Sequence, residues 1–263
     1  MSPFVDIHCH LLPGIDDGAT DLAASLEMAR MAAADGTRTV VVTPHQLGSF
    51  GHNQGDDIRR RTTELQQHLA DAQIPLTVLP GADVRIEEGM VERLAAGDVL
   101  TLADRGRHVL LELPHELYFP LGGLLAELRR RGIVGILSHP ERNAGLLRQP
   151  KLLGGLVDAG CLMQVTAGSL LGTFGPHSQQ LAEAMLAQGQ VHFVATDAHS
   201  PRARRPLMRR AFERVREVAG DEAASDLCCD YPARVAAGAE APAGCRARAP
   251  SGWRGWFNWR KAG

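Results

Sequence analysis

His8, His10, His45, His139 and His199, together with Asp83, Glu112 and Asp197, all stand where a short apolar run of the chain comes to an end. In an extended segment side chains two apart share a face, so His8 and His10 look the same way while Cys9 points away, and Asp197 pairs with His199. Imidazoles and ionised carboxylates in one cluster suit borderline and hard divalent metals such as Mn, Fe or Zn and exclude a soft thiolate site. A lone histidine of this kind is more often an ordinary core or surface residue; the set is what reads as a site. More than four ligands implies more than one ion. The remaining histidines are set aside: His52, His68, His177 and His192 fall at helical, loop or mid-strand positions, His108 opens a strand at the opposite mouth, and His115 follows Glu112 in a loop that could line the entrance.

Two arginines are candidates to meet an anionic substrate, because a guanidinium fork matches the oxygens of a phosphate. Arg142 lies three residues beyond His139, and Arg205 follows Asp197 and His199 among the equally basic Arg202, Arg204, Arg209 and Arg210. Asp17, in the loop beside His10, either donates a proton to a leaving oxygen or caps the following helix, with the cap preferred.

The elements that must bring these residues together are βα units. β-branched apolar runs at Phe4 to Ile7, Thr39 to Thr43, Leu76 to Leu79, Val109 to Leu113, Ile133 to Leu137, Leu162 to Thr166 and Val191 to Thr196 are apolar almost throughout, as strands covered on both faces must be. Amphipathic stretches at Leu22 to Ala34, Ile58 to Ala72, Leu124 to Arg131 and Gln179 to Gln188 lie between them, punctuated by Gly36, Pro75, Gly132 and Gly189. About seven such units predict a parallel α/β barrel, whose strand ends share one face, the usual address of a barrel active site.

Composition sets the outer bounds. At 44% hydrophobic and 22% charged the chain can bury a full core, and a net charge of -2 gives no basic field for nucleic acid. No apolar run reaches the roughly 20 residues that cross a bilayer. The N-terminus lacks the basic flank and apolar stretch of a secretory signal, so a cytoplasmic protein is expected. Cys9, Cys161, Cys228, Cys229 and Cys245 follow no paired-ligand spacing and read as reduced thiols. Cys228 and Arg234 have the C-x5-R spacing of cysteine-dependent phosphatases, but the intervening loop has no glycine to cradle phosphate and Asp230 would repel it. No G-x-S-x-G elbow supports a serine nucleophile.

After about Gly220 the pattern fades, which divides the chain into a barrel over 1–220 and a C-terminal helix end with a basic tail over 221–263. Trp253, Trp256 and Trp259, with Phe257, accompany Arg246, Arg248, Arg254, Arg260 and Lys261 there. Two readings stay open: a disordered tail, or an amphipathic anchor for a partner or an anionic membrane surface.

The run from Asp6 to Gly18, with Thr43-Pro44-His45, Ser138-His139-Pro140-Glu141-Arg142-Asn143 and Thr196-Asp197-Ala198-His199, resembles the polymerase and histidinol phosphatase (PHP) family. Within it the likeness is greatest to the bacterial tyrosine-protein phosphatases of capsule and exopolysaccharide loci. Leu79 to Ile86 and Gln164 to Gly172 add to the match, which runs to about Gly220.

The resemblance implies a distorted seven-unit barrel holding up to three metal ions, commonly manganese. The reaction implied is hydrolysis of phosphotyrosine on a tyrosine kinase partner; with a metal-activated water as nucleophile no covalent intermediate is needed. Carried over by position, His8, His10, Glu112 and Asp197 would hold one ion, Glu112 and His139 a second, and His45, Asp83 and His199 a third. The family usually has Glu where this chain has Asp83, a carboxylate one methylene shorter. Rival readings are a phosphatase of a small phosphomonoester such as histidinol phosphate, a non-catalytic metal-binding regulatory module, and an amidohydrolase. The last commonly needs a bridging lysine, and Lys151 and Lys261 lie outside the predicted strands.

Overall fold

The computed structural model describes residues 2–242. Its strands are β1 (Phe4–Cys9), β2 (Thr37–Val42), β3 (His45–Gln46), β4 (Thr77–Pro80), β5 (Asp83–Arg85), β6 (His108–Glu112), β7 (Val134–Ser138), β8 (Leu162–Thr166) and β9 (Phe193–Ala195). Every ladder between them is parallel. One sheet runs β1-β2-β4 and the other β3-β5-β6-β7-β8-β9. The chain steps directly from the first sheet to the second at Thr43–Pro44 and again at Gly81–Ala82, returning to the first in between through the helix Gly55–Asp71. Proline has no N–H to give a ladder, and at Gly81 a Cβ would lie 2.7 Å from Val41, so the strand must break or stay bare at these points. β2 with β3, and β4 with β5, therefore each fill one position of a seven-membered ring. The ring closes between β9 and β1, where Asp197 N–H donates to the His8 carbonyl at 2.7 Å and His10 N–H donates to the Ala198 carbonyl at 2.9 Å. Asp6 pins the same seam by accepting from the Thr196 N–H and hydroxyl.

The expected strands and helices are present with shifted ends. The predicted helices appear as Leu22–Asp35, Gly55–Asp71, Gly122–Arg130 and Pro176–Ala187. The two short strands β3 and β5 were not expected. Alternation along the strands sorts the core into two layers. Val5, Ile7, Val41, Leu110, Ile136, Leu162, Phe193 and Ala195 fill the barrel, while Val40, Val42, Val109, Leu111, Leu137, Met163, Val165 and Val194 face the surrounding helices.

Beyond Gly220 the chain continues as helix: Asp221–Ser225, a π-helical turn Asp226–Asp230, and Tyr231–Ala236. Val235 and Ala236 join Leu102 and Ala103 in the barrel's interior cluster. The packed body thus extends past the expected division at 220. Trp253, Trp256, Trp259 and their basic neighbours lie outside the described residues. Among the described residues no helix is long and apolar enough to cross a membrane.

Candidate metal centre

Each ligand-type side chain is delivered by the strand alternation just described. Leu110 points into the barrel and so Glu112 does too; Ala195 sets the direction of Asp197; Leu162 sets that of Gln164. β1 needs a further device, because strict alternation from Ile7 would turn His8 outward. Its register against β2 slips there: Asp6 pairs with Val40 but Cys9 with Val42, three residues against two. Such a bulge re-aims a side chain. It lets Ile7 and His8 both face inward, sends Cys9 to the outer layer, and leaves His10 on the inner side. The His8 and His10 Nε2 atoms lie 3.3 Å apart. At two further strand ends the backbone enters the left-handed region on non-glycine residues, φ 34° at His139 and φ 50° at Asp197. Strain of this kind persists where surrounding structure over-determines it and concentrates at functional sites.

His8, His10, Asp83, Glu112, His139, Asp197 and His199 are buried, and His45 is half-buried. Their ligand atoms form overlapping clusters within 4.8 Å: His10, Asp17, His45 and His199; His8, His10 and Asp197; His8, Asp83 and His139; and His45, Asp83 and Glu112. This grouping differs from the partition carried over by resemblance. Asp83 lies between His8 and His45, with Oδ2 3.6 Å from the ring nitrogen of each. His199 meets Asp17 and His10 instead.

Three imidazoles have one nitrogen tied off by an acceptor. His8 Nδ1 is 2.8 Å from Gln164 Oε1, His10 Nδ1 2.7 Å from Asp16 Oδ2, and His199 Nδ1 3.0 Å from the Asp197 carbonyl. An acceptor at Nδ1 fixes the N–H there and leaves Nε2 as a lone-pair donor facing the cluster, the usual support of a metal-binding histidine. Both carboxylate oxygens of Asp83 are buried and have no hydrogen-bond partner among the described residues. A carboxylate left dry in this way is costly unless a cation meets it. The donor set of imidazole nitrogens and carboxylate oxygens therefore fits divalent metal.

The electrostatics agree in sign. Burial pushes Asp83 well above the usual carboxylate range, with Glu112 adding to it, and burial also raises Glu112. Burial lowers His8 to about 3 and His45 to about 4, the neutral form that can ligate. His10 goes the other way. Burial would lower it, but Asp16 and Asp197 raise it to about 10. Asp197, despite its burial, is held well below the usual carboxylate range by His8, His10 and Arg204. Burial thus makes the charged forms of Asp83 and Glu112 costly unless a cation meets them.

Two of the expected assignments change, those of Asp17 and Arg205. Asp17 does not cap the helix Leu22–Asp35; Asp21 does, accepting from the Ala24 N–H at 2.8 Å. The exposed Asp17 carboxylate instead lies 3.4 Å from Nε2 of both His45 and His199. Arg142 does reach the site, donating to Asp197 Oδ2. Arg205 is exposed, and Arg204 takes the place expected for it, donating to the same Asp197 oxygen. The reason is a fold-back of the loop: the Arg204 carbonyl accepts from the N–H groups of His199 and Ser200, at 2.9 and 3.2 Å. Finally, Cys228 is fully buried, with its thiol pushed well up by desolvation, which leaves no thiolate nucleophile beside Arg234.

Asp16 and Gln164 were missed by sequence reasoning. A signal for Asp16 existed in Gly18: a Cβ there would sit 2.4 Å from the His10 carbonyl oxygen, so only glycine lets the Asp16-Asp17-Gly18 turn close over His10.

Residues 4–237 match the family model described as capsular polysaccharide synthesis, CpsB/CapC. The chain belongs to the CpsB/CapC family. It is similar to the tyrosine-protein phosphatase YwqE of Bacillus subtilis, 38% identical over 76% of this chain and 79% of that protein. To the tyrosine-protein phosphatase CpsB of Streptococcus pneumoniae it is 25% identical over 88% of this chain and 97% of the other. A solved structure from the work on YwqE and CpsB, described as unique metal-dependent tyrosine phosphatases, superposes with a TM-score of 0.86 at 34% identity, covering 90% of this chain and 95% of that one. Among more distant neighbours in shape, the histidinol phosphate phosphatase of Lactococcus lactis shares the fold, with a TM-score of 0.52 at 12% identity over 84% of this chain and 94% of that chain.

Proposed function

We propose that this CpsB/CapC protein is a metal-dependent tyrosine-protein phosphatase, acting in the cytoplasm on a tyrosine kinase that regulates capsular or exopolysaccharide synthesis. The observation that carries the reading is the buried Asp83 carboxylate, ringed by imidazoles and left dry among the described residues, with two arginines nearby on Asp197. The names of the relatives and the family description support the substrate class; the kinase partner follows from the resemblance of the sequence motifs.

His8, His10, His45, Asp83, Glu112, His139, Asp197 and His199 would hold the metal, with Asp17 completing the outermost cluster. Up to three ions are proposed for the four overlapping clusters, manganese ahead of iron or zinc. When bound, such ions supply Lewis acidity toward phosphoryl oxygens and lower the pKa of water to roughly 7. The protein's own part is orientation and charge. Gln164 and Asp16 hold His8 and His10 in one tautomer. Arg142 and Arg204 turn N–H donors toward the non-bridging oxygens of the phosphoryl group, whose transfer is governed chiefly by positioning and electrostatics. The tyrosine phenolate, with an ordinary pKa near 10, leaves readily.

The test is hydrolysis of a phosphotyrosyl peptide against histidinol phosphate, in protein stripped with EDTA and reloaded. Stripping should abolish turnover and Mn should restore it better than Mg, with the peptide preferred. Full activity in metal-free protein refutes the mechanism; preference for histidinol phosphate refutes the substrate. Absence of turnover on either, with metal bound, would leave a non-catalytic module.

A further inference from the structure

We propose that Phe174 is a positioning residue whose ring is the floor that holds Arg142 and Arg204 side by side for the phosphoryl group. This rests on the reading above that the two arginines meet the substrate's phosphate.

The Arg142 Cζ lies 4.1 Å from the centroid of the Phe174 ring and the Arg204 Cζ lies 5.8 Å from it. Both guanidiniums also converge on a single oxygen, Asp197 Oδ2. Like charges brought together in a half-buried setting repel, and a single carboxylate oxygen cannot direct two forks at once. The negative face of an aromatic ring attracts both cations while leaving their N–H edges free, which hydrogen bonds to a second carboxylate would not do. Among the described residues neither side chain has another hydrogen-bond partner, and Arg204 Nε is buried with none. Its N–H is a donor in reserve beside the place where an oxyanion would sit.

The floor is built from the chain around it. Gly168 is bare because Phe174 packs on it: a Cβ there would lie 2.9 Å from the ring's Cε2. The Thr173 N–H donates to the Gly168 carbonyl at 2.9 Å, and Gly172 and Gly175, at φ 78° and 88°, supply the left-handed turns that swing the ring under the arginines. The same loop is tied to the segment that carries Arg142. Glu141, the residue before it, is buried and accepts from the Thr166 N–H at 3.0 Å and the Ser169 hydroxyl at 2.7 Å. Three separate stretches, after β7, β8 and β9, therefore meet at this ring.

The experiment uses manganese-loaded full-length protein, with hydrolysis of an aryl phosphate and its inhibition by inorganic phosphate as readouts. Phe174→Ala should lower kcat/KM and weaken phosphate inhibition by about tenfold. Phe174→Tyr should restore both to within about twofold of the parent, and Phe174→Leu, which keeps bulk but has no π face, should not. Metal content should be unchanged in all three. In an Arg142→Ala background the cost of Phe174→Ala should shrink, because the ring then has one cation fewer to hold. Wild-type behaviour of Phe174→Leu, or full additivity with Arg142→Ala, overturns the positioning role and leaves the phosphatase reading intact. Wild-type protein that neither hydrolyses the aryl ester nor responds to phosphate overturns both.

Discussion

Asp16 and Gln164 act on the site only through the imidazoles they orient, and their worth should be visible as metal affinity. Asp16→Asn removes the charge from the acceptor at His10 Nδ1. It should weaken metal binding by roughly 10- to 100-fold, read by titration of the stripped protein. The arginines separate by a simpler comparison. Arg204→Ala should cost on the order of 10²-fold in kcat/KM, the scale of a lost oxyanion donor, while Arg205→Ala should stay within about twofold. Equal losses would show that the loop after β9 adopts another path. That these eight imidazole and carboxylate residues would converge was legible in the sequence because each ends an apolar run. Which of two neighbours faces inward was not. Asp16 against Asp17, and Arg204 against Arg205, are decided by turns whose backbone hydrogen bonds no periodicity announces. Phe174 was equally silent, since an aromatic between two glycines reads as loop.

At the scale of elements the alternation of strand and helix gave the barrel and its order. β3 and β5 were lost because a two- or three-residue strand is too short to show a period of two, and each follows a break at Pro44 or Gly81. The bulge in β1 was also invisible: the expectation that His8 and His10 share a face came from simple alternation, but Ile7 and His8 share it too. At the start of β9 lies a different kind of dependence. His192 is buried, its Nδ1 accepts from the Met163 N–H at 3.1 Å, and burial lowers its pKa to about 4. The folded protein thus keeps this ring neutral where the unfolded chain, near 6.5, would protonate it. Its neutral form favours the native state fully above about pH 6.5, and that contribution is lost as pH falls toward 4. In urea titrations of metal-stripped protein, wild type should therefore lose more stability between pH 7.5 and 4.5 than His192→Gln does. Parallel declines would remove His192 from the account.

For the molecule as a whole, the C-terminal helices are part of the barrel's floor. Leu227, Cys228, Val235 and Ala236 are buried, the last two among interior residues of β1 and β9. A chain ending at 220 should expose that floor and fail to fold, seen as loss of a cooperative thermal transition. One ending at 242 should melt and turn over substrate as the full chain does. The sequence reading put the division too early because small and polar residues such as Ala223, Ala224 and Ser225 dilute the helical pattern. If the stretch beyond 242 anchors the protein, the same shorter chain should lose association with anionic vesicles.

The β9–β1 seam has a consequence for how the protein comes into being. His8 and His10 precede Asp197 and His199 by nearly two hundred residues, so the centre cannot be assembled until the last strand has followed the first out of the ribosome. A product truncated before β9 would carry loose imidazoles and carboxylates but no closed pocket, so metal could be gathered only once that seam has formed.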